Sequence, residues 1–303
     1  MIRFDGRVAV VTGAGGGLGK SHALMLSSRG AKVVVNDLGG KVDGRGASQG
    51  MADAVVAEIR AAGGDAVANY DSVATAEGGR KIIQTAIDAF GKVDILINNA
   101  GFLRDRTFAK MELADFEAVL QTHLMGAVYC TKAAWSHMRE RRYGRIVMTS
   151  SGAGLYGNFG QANYGTAKMG VIGLMNVLKL EGARDGILVN AIAPIATTRM
   201  TEAGYPKDVL SYLRPDFVSA AVAFLCSETF ARSGEIISAG GGYIGRAALV
   251  ESEGVFVDVN RPADVDEVAQ LFDRFADMSR ASGFPSAEEY TKKAFARLLP
   301  AVE

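Results

Sequence analysis

Ser151, Tyr164 and Lys168 stand thirteen and then four residues apart in SGAGLYGNFGQANYGTAK, residues 151–168. A Tyr and a Lys four apart on a helix share one face. An ammonium beside a phenol favours the phenolate. An ordinary Tyr ionises near pH 10, so only about one in a thousand is charged at neutral pH. Bringing that to about 7 takes about 3 pH units, or roughly 4 kcal/mol. Ser151 would hydrogen-bond a substrate oxygen. Together the three could take a hydroxyl proton while hydride leaves the same carbon. Tyr-x-x-x-Lys also falls by chance on solvated amphipathic helices, so the surrounding elements must decide.

The first of these is a strand, a glycine turn and a helix. Residues 7–12, RVAVVT, form a short Val-rich run of the kind that makes a buried parallel strand. Gly13-Ala14-Gly15-Gly16-Gly17-Leu18-Gly19 follows, then a helical stretch to about residue 29. Here the backbone can approach a pyrophosphate, and the helix N-terminus supplies N–H donors and positive dipole. Gly13, Gly17, Leu18 and Gly19 are the candidate contacts. The spacing is Gly-x-x-x-Gly-x-Gly rather than Gly-x-Gly-x-x-Gly, and a plain tight turn is the alternative.

Residues 31–35 read as the second strand, closed by Asp37. An acidic residue about 20 positions after the glycines accepts ribose hydroxyls and repels a 2′-phosphate, which predicts NAD over NADP. The plainer reading of Asp37 is a loop cap. Residues 39–50 hold five glycines and three charges and read as a mobile insertion without chemistry. Residues 67–70 form a third strand, and Asp71, Ser72 and Val73 at its end could meet an adenine. Residues 76–90 are helical by period. Residues 93–97 form a fourth strand, after which Asn99, Ala100 and Gly101 are small enough to pass close to a cofactor. Strands alternating with helices predict an α/β fold with right-handed crossovers and a parallel sheet.

Apolar residues recur at helical spacing from Leu113 to Met138, and His123 falls on that face. Either its turn holds a water that relays protons to Lys168, or it is a packed core histidine. Residues 145–149 form a fifth strand, the Tyr164 helix runs to about residue 182, and residues 187–193 form a sixth strand. Pro194 breaks that strand where the chain would pass a nicotinamide, with Ala196, Thr197 and Thr198 to follow. Residues 217–226 read as a helix and 235–238 as a seventh strand, ended by Gly240-Gly241-Gly242. The predicted division is therefore a dinucleotide-binding catalytic domain over 1–242 and an extension over 243–303 with two helical patterns. The extension packs on the core or on a partner subunit, or else walls the substrate site.

Composition excludes several classes. Of 303 residues, 49% are apolar and 22% charged, and 33 basic residues balance 33 acidic ones. Nothing there suggests a nucleic-acid or membrane-surface partner. Cys130 and Cys226 lack metal or redox spacing and read as reduced core thiols of a cytoplasmic protein. His22, His123 and His137 are scattered, so no metal site is expected. There is no apolar run of about 18 residues and no leader pattern. The chain ends Ala-Val-Glu rather than in a Ser-Lys-Leu address.

TGAGGGLG at 12–19, NNAG at 98–101 and the Ser151–Tyr164–Lys168 set together resemble the short-chain dehydrogenase/reductase family. The resemblance covers roughly residues 7–240. It implies a Rossmann-type doubly wound sheet of about seven strands, a nicotinamide cofactor, and a homodimer or homotetramer. It also implies that residues 201–216 cover the substrate. Longer strings are VVVNDLGG at 33–40, ANYDSV at 68–73, LRDRTFA at 103–109, YGRIVMTSS at 143–151, YGNFGQANY at 156–164 and TRMT at 198–201. These are similar to the family branch that oxidises (3R)-hydroxyacyl-CoA with NAD in fatty-acid β-oxidation. By that resemblance Ser151 binds the substrate oxygen, Tyr164 is the base, and Lys168 binds the ribose and aids ionisation of the tyrosine. His123 stands where most of the family has Asn, and Ile195 where Gly is common. Arg104 and Arg106 could meet CoA phosphates or form a solvated face. The implied protein is a stand-alone (3R)-3-hydroxyacyl-CoA dehydrogenase. A hydroxysteroid or other secondary-alcohol dehydrogenase, and an NAD-binding scaffold with little turnover, are the alternatives.

Overall fold

The structure, a computed structural model, describes residues 1–41, 43–198 and 206–295. Short apolar runs build its sheet: β1 (Val8–Thr12), β2 (Lys32–Asn36), β3 (Ala66–Asn69), β4 (Ile95–Asn98), β5 (Gly144–Thr149), β6 (Ile187–Pro194), β7 (Ile236–Gly240) and β8 (Tyr243–Ala247). Their spatial order is β3-β2-β1-β4-β5-β6-β7-β8. The pairs from β3 through β7 are all parallel. The helices that connect and cover them are α1 (Gly17–Ser28), α2 (Gly50–Ala61), α3 (Ala76–Phe90), α4 (Leu113–Leu120), α5 (Gly126–Glu140), α6 (Gly152–Tyr156), α7 (Ala162–Gly182) and α8 (Pro215–Cys226).

Two-residue alternation divides each strand between two helical layers. Ala9 and Val11, Val33 and Val35, and Ile95 and Ile97 share one core with α1, α2 and α8. Val8, Val10, Val34 and Leu96 alternate with them and are just as buried, facing the layer that holds α3, α5 and α7. A strand buried on both faces needs a continuous apolar run, which is why VAVV reads as it does. Helix boundaries follow local chemistry. The Thr75 hydroxyl accepts the Gly78 N–H to start α3, and Gly91 at φ 77° ends it. Pro215 opens α8.

The chain runs outward from β1 to β3, then returns to place β4 on the other side of β1. A crevice therefore opens beyond the carboxyl ends of β1 and β4, the usual ligand position in such sheets. The sheet has one strand more than the seven expected. Gly240, Gly241 and Gly242 all take positive φ, so they turn the chain back beside β7 as β8 instead of ending the core.

The chain divides into two compact units, Met1–Arg246 and Ala247–Glu303. Within the second unit lie α9 (Val265–Gln270), α10 (Phe272–Phe275) and α11 (Ala287–Phe295), and none of its described residues is buried. Among the described residues, no helix is long and apolar enough to cross a membrane. Cys130 and Cys226 are free and buried, and burial pushes each thiol up to about 12.

Candidate active site

The crevice is a cleft of about 1140 Å³, and its floor begins with the turn after β1. Thr12 stitches that turn to the turn after β4. Its hydroxyl accepts the N–H groups of Asn99 (3.0 Å) and Ala100 (3.1 Å). The Asn99 side-chain amide donates back to the carbonyls of Thr12 (2.9 Å) and Gly13 (3.1 Å). No side chain fits between these segments. A Cβ on Gly13 would stand 2.7 Å from the Ala100 Cα, and one on Gly19 would stand 2.1 Å from the Gly13 oxygen. Bare backbone, a helix N-terminus and lining by Gly13, Gly17, Leu18 and Gly19 together make a cradle that could hold a pyrophosphate. The residues present fit a dinucleotide.

Asp37 follows β2 and closes the next wall. One carboxylate oxygen accepts the Gly15 N–H at 2.7 Å, and the other accepts the Gly39 N–H at 2.6 Å. A Cβ on Gly15 would lie 2.8 Å from that carboxylate, so the acid sits directly over the glycine turn. Asp71, Ser72 and Val73 line the same end. Two buried amides hold them: Asn36 donates to the Asp71 carbonyl and Asn69 to its carboxylate, both at 2.9 Å.

The opposite end holds the residues with proton chemistry. Ser151 ends the β5 loop, and its Oγ accepts the Ala153 N–H at 3.1 Å as the cap of α6. That leaves the serine O–H to donate. Tyr164 and Lys168 come from the first turns of α7, with the ammonium 5.6 Å from the centre of the phenol ring. Lys168 is only 3% exposed, and its Nζ donates to the Thr149 carbonyl at 2.6 Å. Burial pulls its pKa down to about 7. Thus a lysine able to change charge near neutrality sits against the phenol.

His123 also meets that phenol, edge-on at 5.2 Å between ring centres. It belongs to a π-helical turn, Gln121–Met125, that interrupts what the sequence presented as one long helix. Its Nε2 faces both the N–H (3.0 Å) and the carbonyl (2.8 Å) of Phe102. Burial, with a further push from Lys168, takes its pKa down to about 3, so the ring is neutral at physiological pH. Its buried Nδ1 has no hydrogen-bond partner among the described residues. The histidine is therefore packed and also adjacent to Tyr164.

Pro194, Ile195, Ala196 and Thr198 line the cleft, but Thr197 does not. Its N–H donates to the Leu213 carbonyl at 2.7 Å and its hydroxyl to the Leu210 carbonyl at 3.2 Å. Of the expected covering segment, residues 201–205 lie outside the described residues, as does Arg199. Arg104 reaches the cleft but is bound to Asp115 at 2.9 Å, and Arg106 stays outside it. Sequence reasoning passed over Gly40, Lys41 and Gly44, which also line the cleft. The glycine density of residues 39–50 was the signal that their backbone approaches something closely.

The short chain dehydrogenase family profile matches residues 7–208. A short-chain type dehydrogenase/reductase of Mycobacterium tuberculosis is 53% identical over 91% of this chain and 96% of its own length. Peroxisomal multifunctional enzyme type 2 of Mus musculus is 47% identical over 96% of this chain, which spans 39% of that protein. The solved full-length peroxisomal multifunctional enzyme type 2 of Drosophila melanogaster superposes with a TM-score of 0.83 at 39% identity. That match covers 98% of this chain and 50% of the fly chain. With the match spanning two thirds of its residues and the site geometry at the expected strand ends, the chain belongs to the short-chain dehydrogenase/reductase family of oxidoreductases.

Proposed function

We propose that the protein oxidises (3R)-3-hydroxyacyl-CoA to the 3-ketoacyl-CoA with NAD, and that Tyr164 is the general base. Members of this family use NAD or NADP. The observation that carries the reading is the placement of Tyr164 on the cleft wall with buried Lys168 beside its ring, in the same cleft as Asp37 and the glycine cradle. The strings shared with the hydroxyacyl-CoA branch support the substrate class.

In this reading Gly13, Gly17 and Gly19 hold the pyrophosphate, Asp37 the adenosine ribose, and Asp71 to Val73 the adenine. Asn99 to Gly101, with Pro194, Ala196 and Thr198, would flank the nicotinamide, which when bound would accept the hydride from the alcohol carbon. The protein's own groups manage the proton. The Ser151 O–H donates to the substrate oxygen and holds it beside Tyr164. The Tyr164 phenolate takes the hydroxyl proton as the carbonyl forms. The Lys168 ammonium favours that phenolate. Neutral His123 holds the Phe102 backbone and presses edge-on against the phenol, which limits its rotation.

Two measurements test this reading. Purified protein with NAD should form NADH with (3R)-hydroxyacyl-CoA and not with the (3S) isomer or a free 17β-hydroxysteroid. Turnover of the steroid or the (3S) isomer at a comparable rate would overturn the substrate assignment. Asp37→Ser removes a negative charge from the ribose end. Like-charge contacts cost several kcal/mol, so the ratio of kcat/KM with NADP to that with NAD should rise at least about tenfold. An unchanged ratio would mean that Asp37 does not select the cofactor.

A further inference from the structure

We propose that Arg104 is a positioning residue that latches residues 38–41 and 43–48 as a strap at the cleft and so sets how fast the dinucleotide leaves. The inference rests on the dinucleotide reading of the cleft and assigns work to an insertion that otherwise has none.

The strap is a closed loop. The Ser48 N–H donates to the Leu38 carbonyl at 2.9 Å and draws its ends together. Gly39 takes φ +75°, and a Cβ there would stand 1.8 Å from the Ser48 oxygen. Near its tip the Gly44 N–H donates to the Lys41 carbonyl (2.9 Å) and the Lys41 N–H to the Arg45 carbonyl (2.8 Å). Its base is Asp37, through the Gly39 N–H, on the ribose side of the cleft. Its tip reaches the catalytic side. Gly44, at φ +80°, lies against the Phe102 ring so closely that a Cβ would stand 2.5 Å from a ring carbon. The Arg104 Nε donates to the Asp43 carbonyl at 3.1 Å. Gly40, Lys41 and Gly44 thus line the cleft together with Phe102 and Arg104.

Arg104 is itself fixed from three directions. Its Nη1 pairs with Asp115 of α4 at 2.9 Å, and its guanidinium stands 4.9 Å from the centre of the Phe102 ring. Its carbonyl accepts the Asn163 side-chain amide at 3.0 Å, and Asn163 is fully buried one residue before Tyr164. Phe102 is held in turn by His123. The latch therefore stands on the same scaffold as the catalytic helix, while what it holds covers the cofactor. A planar guanidinium can serve Asp43 and Asp115 at once; a lysine cannot fork in that way.

The experiment is stopped-flow release of NADH from preformed binary complexes, with equilibrium NADH titration beside it. Arg104→Met should speed release about tenfold, the scale of one charge-assisted hydrogen bond. Arg104→Lys should fall between it and the parent. Gly44→Ala attacks the latch from the strap side, through the Phe102 contact, and should also speed release. If Arg104→Met fails to fold, the other two variants decide the matter. Folded variants that release NADH at the parental rate would overturn the proposal. A parent protein that binds neither NADH nor NADPH would overturn the dinucleotide reading and the strap with it, an outcome distinct from bound NADH leaving at an unchanged rate.

Discussion

Tyr164→Phe should lower kcat by about 10²–10⁴-fold, the range contributed by a positioned general base. The substitution deletes one oxygen and keeps the ring, so the edge contact with His123 and the position over Lys168 persist. NADH affinity should consequently stay within a few-fold of the parent, read by fluorescence titration. The contrast between lost turnover and kept binding is the informative part. A variant that still turns over within tenfold of the parent would remove Tyr164 from the role of base. Parental physiological output from a variant with no turnover would favour the scaffold reading.

Lys168→Met should act on turnover and stability in opposite directions. Without the ammonium the phenol must ionise unaided, and kcat at neutral pH should fall by at least about 10²-fold. Stability follows from linkage. The folded pKa of Lys168 is lowered from 10.5 to about 7 because burial disfavours the charged form. Between those values the unfolded chain holds the proton and the folded chain does not, so stability rises with pH through that window. Below about pH 7 both states are protonated, and the folded protein carries the full cost of a buried charge. Lys168→Met removes that cost. The Tm of the cofactor-free variant at pH 6 should therefore match or exceed that of the parent, and the difference should shrink by pH 10. A variant markedly less stable at pH 6 would mean that the bond to the Thr149 carbonyl outweighs the burial cost. Catalysis in this account retains a residue that the fold alone would not favour.

The parts of this site legible in the sequence were those whose cause is local. VAVV is a buried strand because its own four residues are apolar, and the glycines after it are needed where a Cβ would strike Gly13 or Ala100. Tyr164 and Lys168 share a face through helical geometry alone. What stayed hidden depends on segments distant in sequence. Nothing near His123 says that its Nε2 will meet Phe102, or that a π-helical turn will carry it there. Arg104 looked like a solvated or phosphate-binding cation because Asp43 and Asp115 reach it only in the fold. Thr197 was assigned by its neighbours, yet its backbone turns it toward Leu210 and Leu213. Gly240 to Gly242 signalled a stop and instead make a reversal, because three positive φ values return the chain beside β7.

The central claim is that this cleft removes a hydride from an alcohol carbon while Tyr164 takes the hydroxyl proton. It is tested most directly with (3R)-hydroxyacyl-CoA deuterated at C3, by mass spectrometry of the reduced cofactor and of the water. The account predicts one deuterium on the nicotinamide ring for each ketone formed and none in solvent. Deuterium in the water, with an unlabelled cofactor, would contradict it.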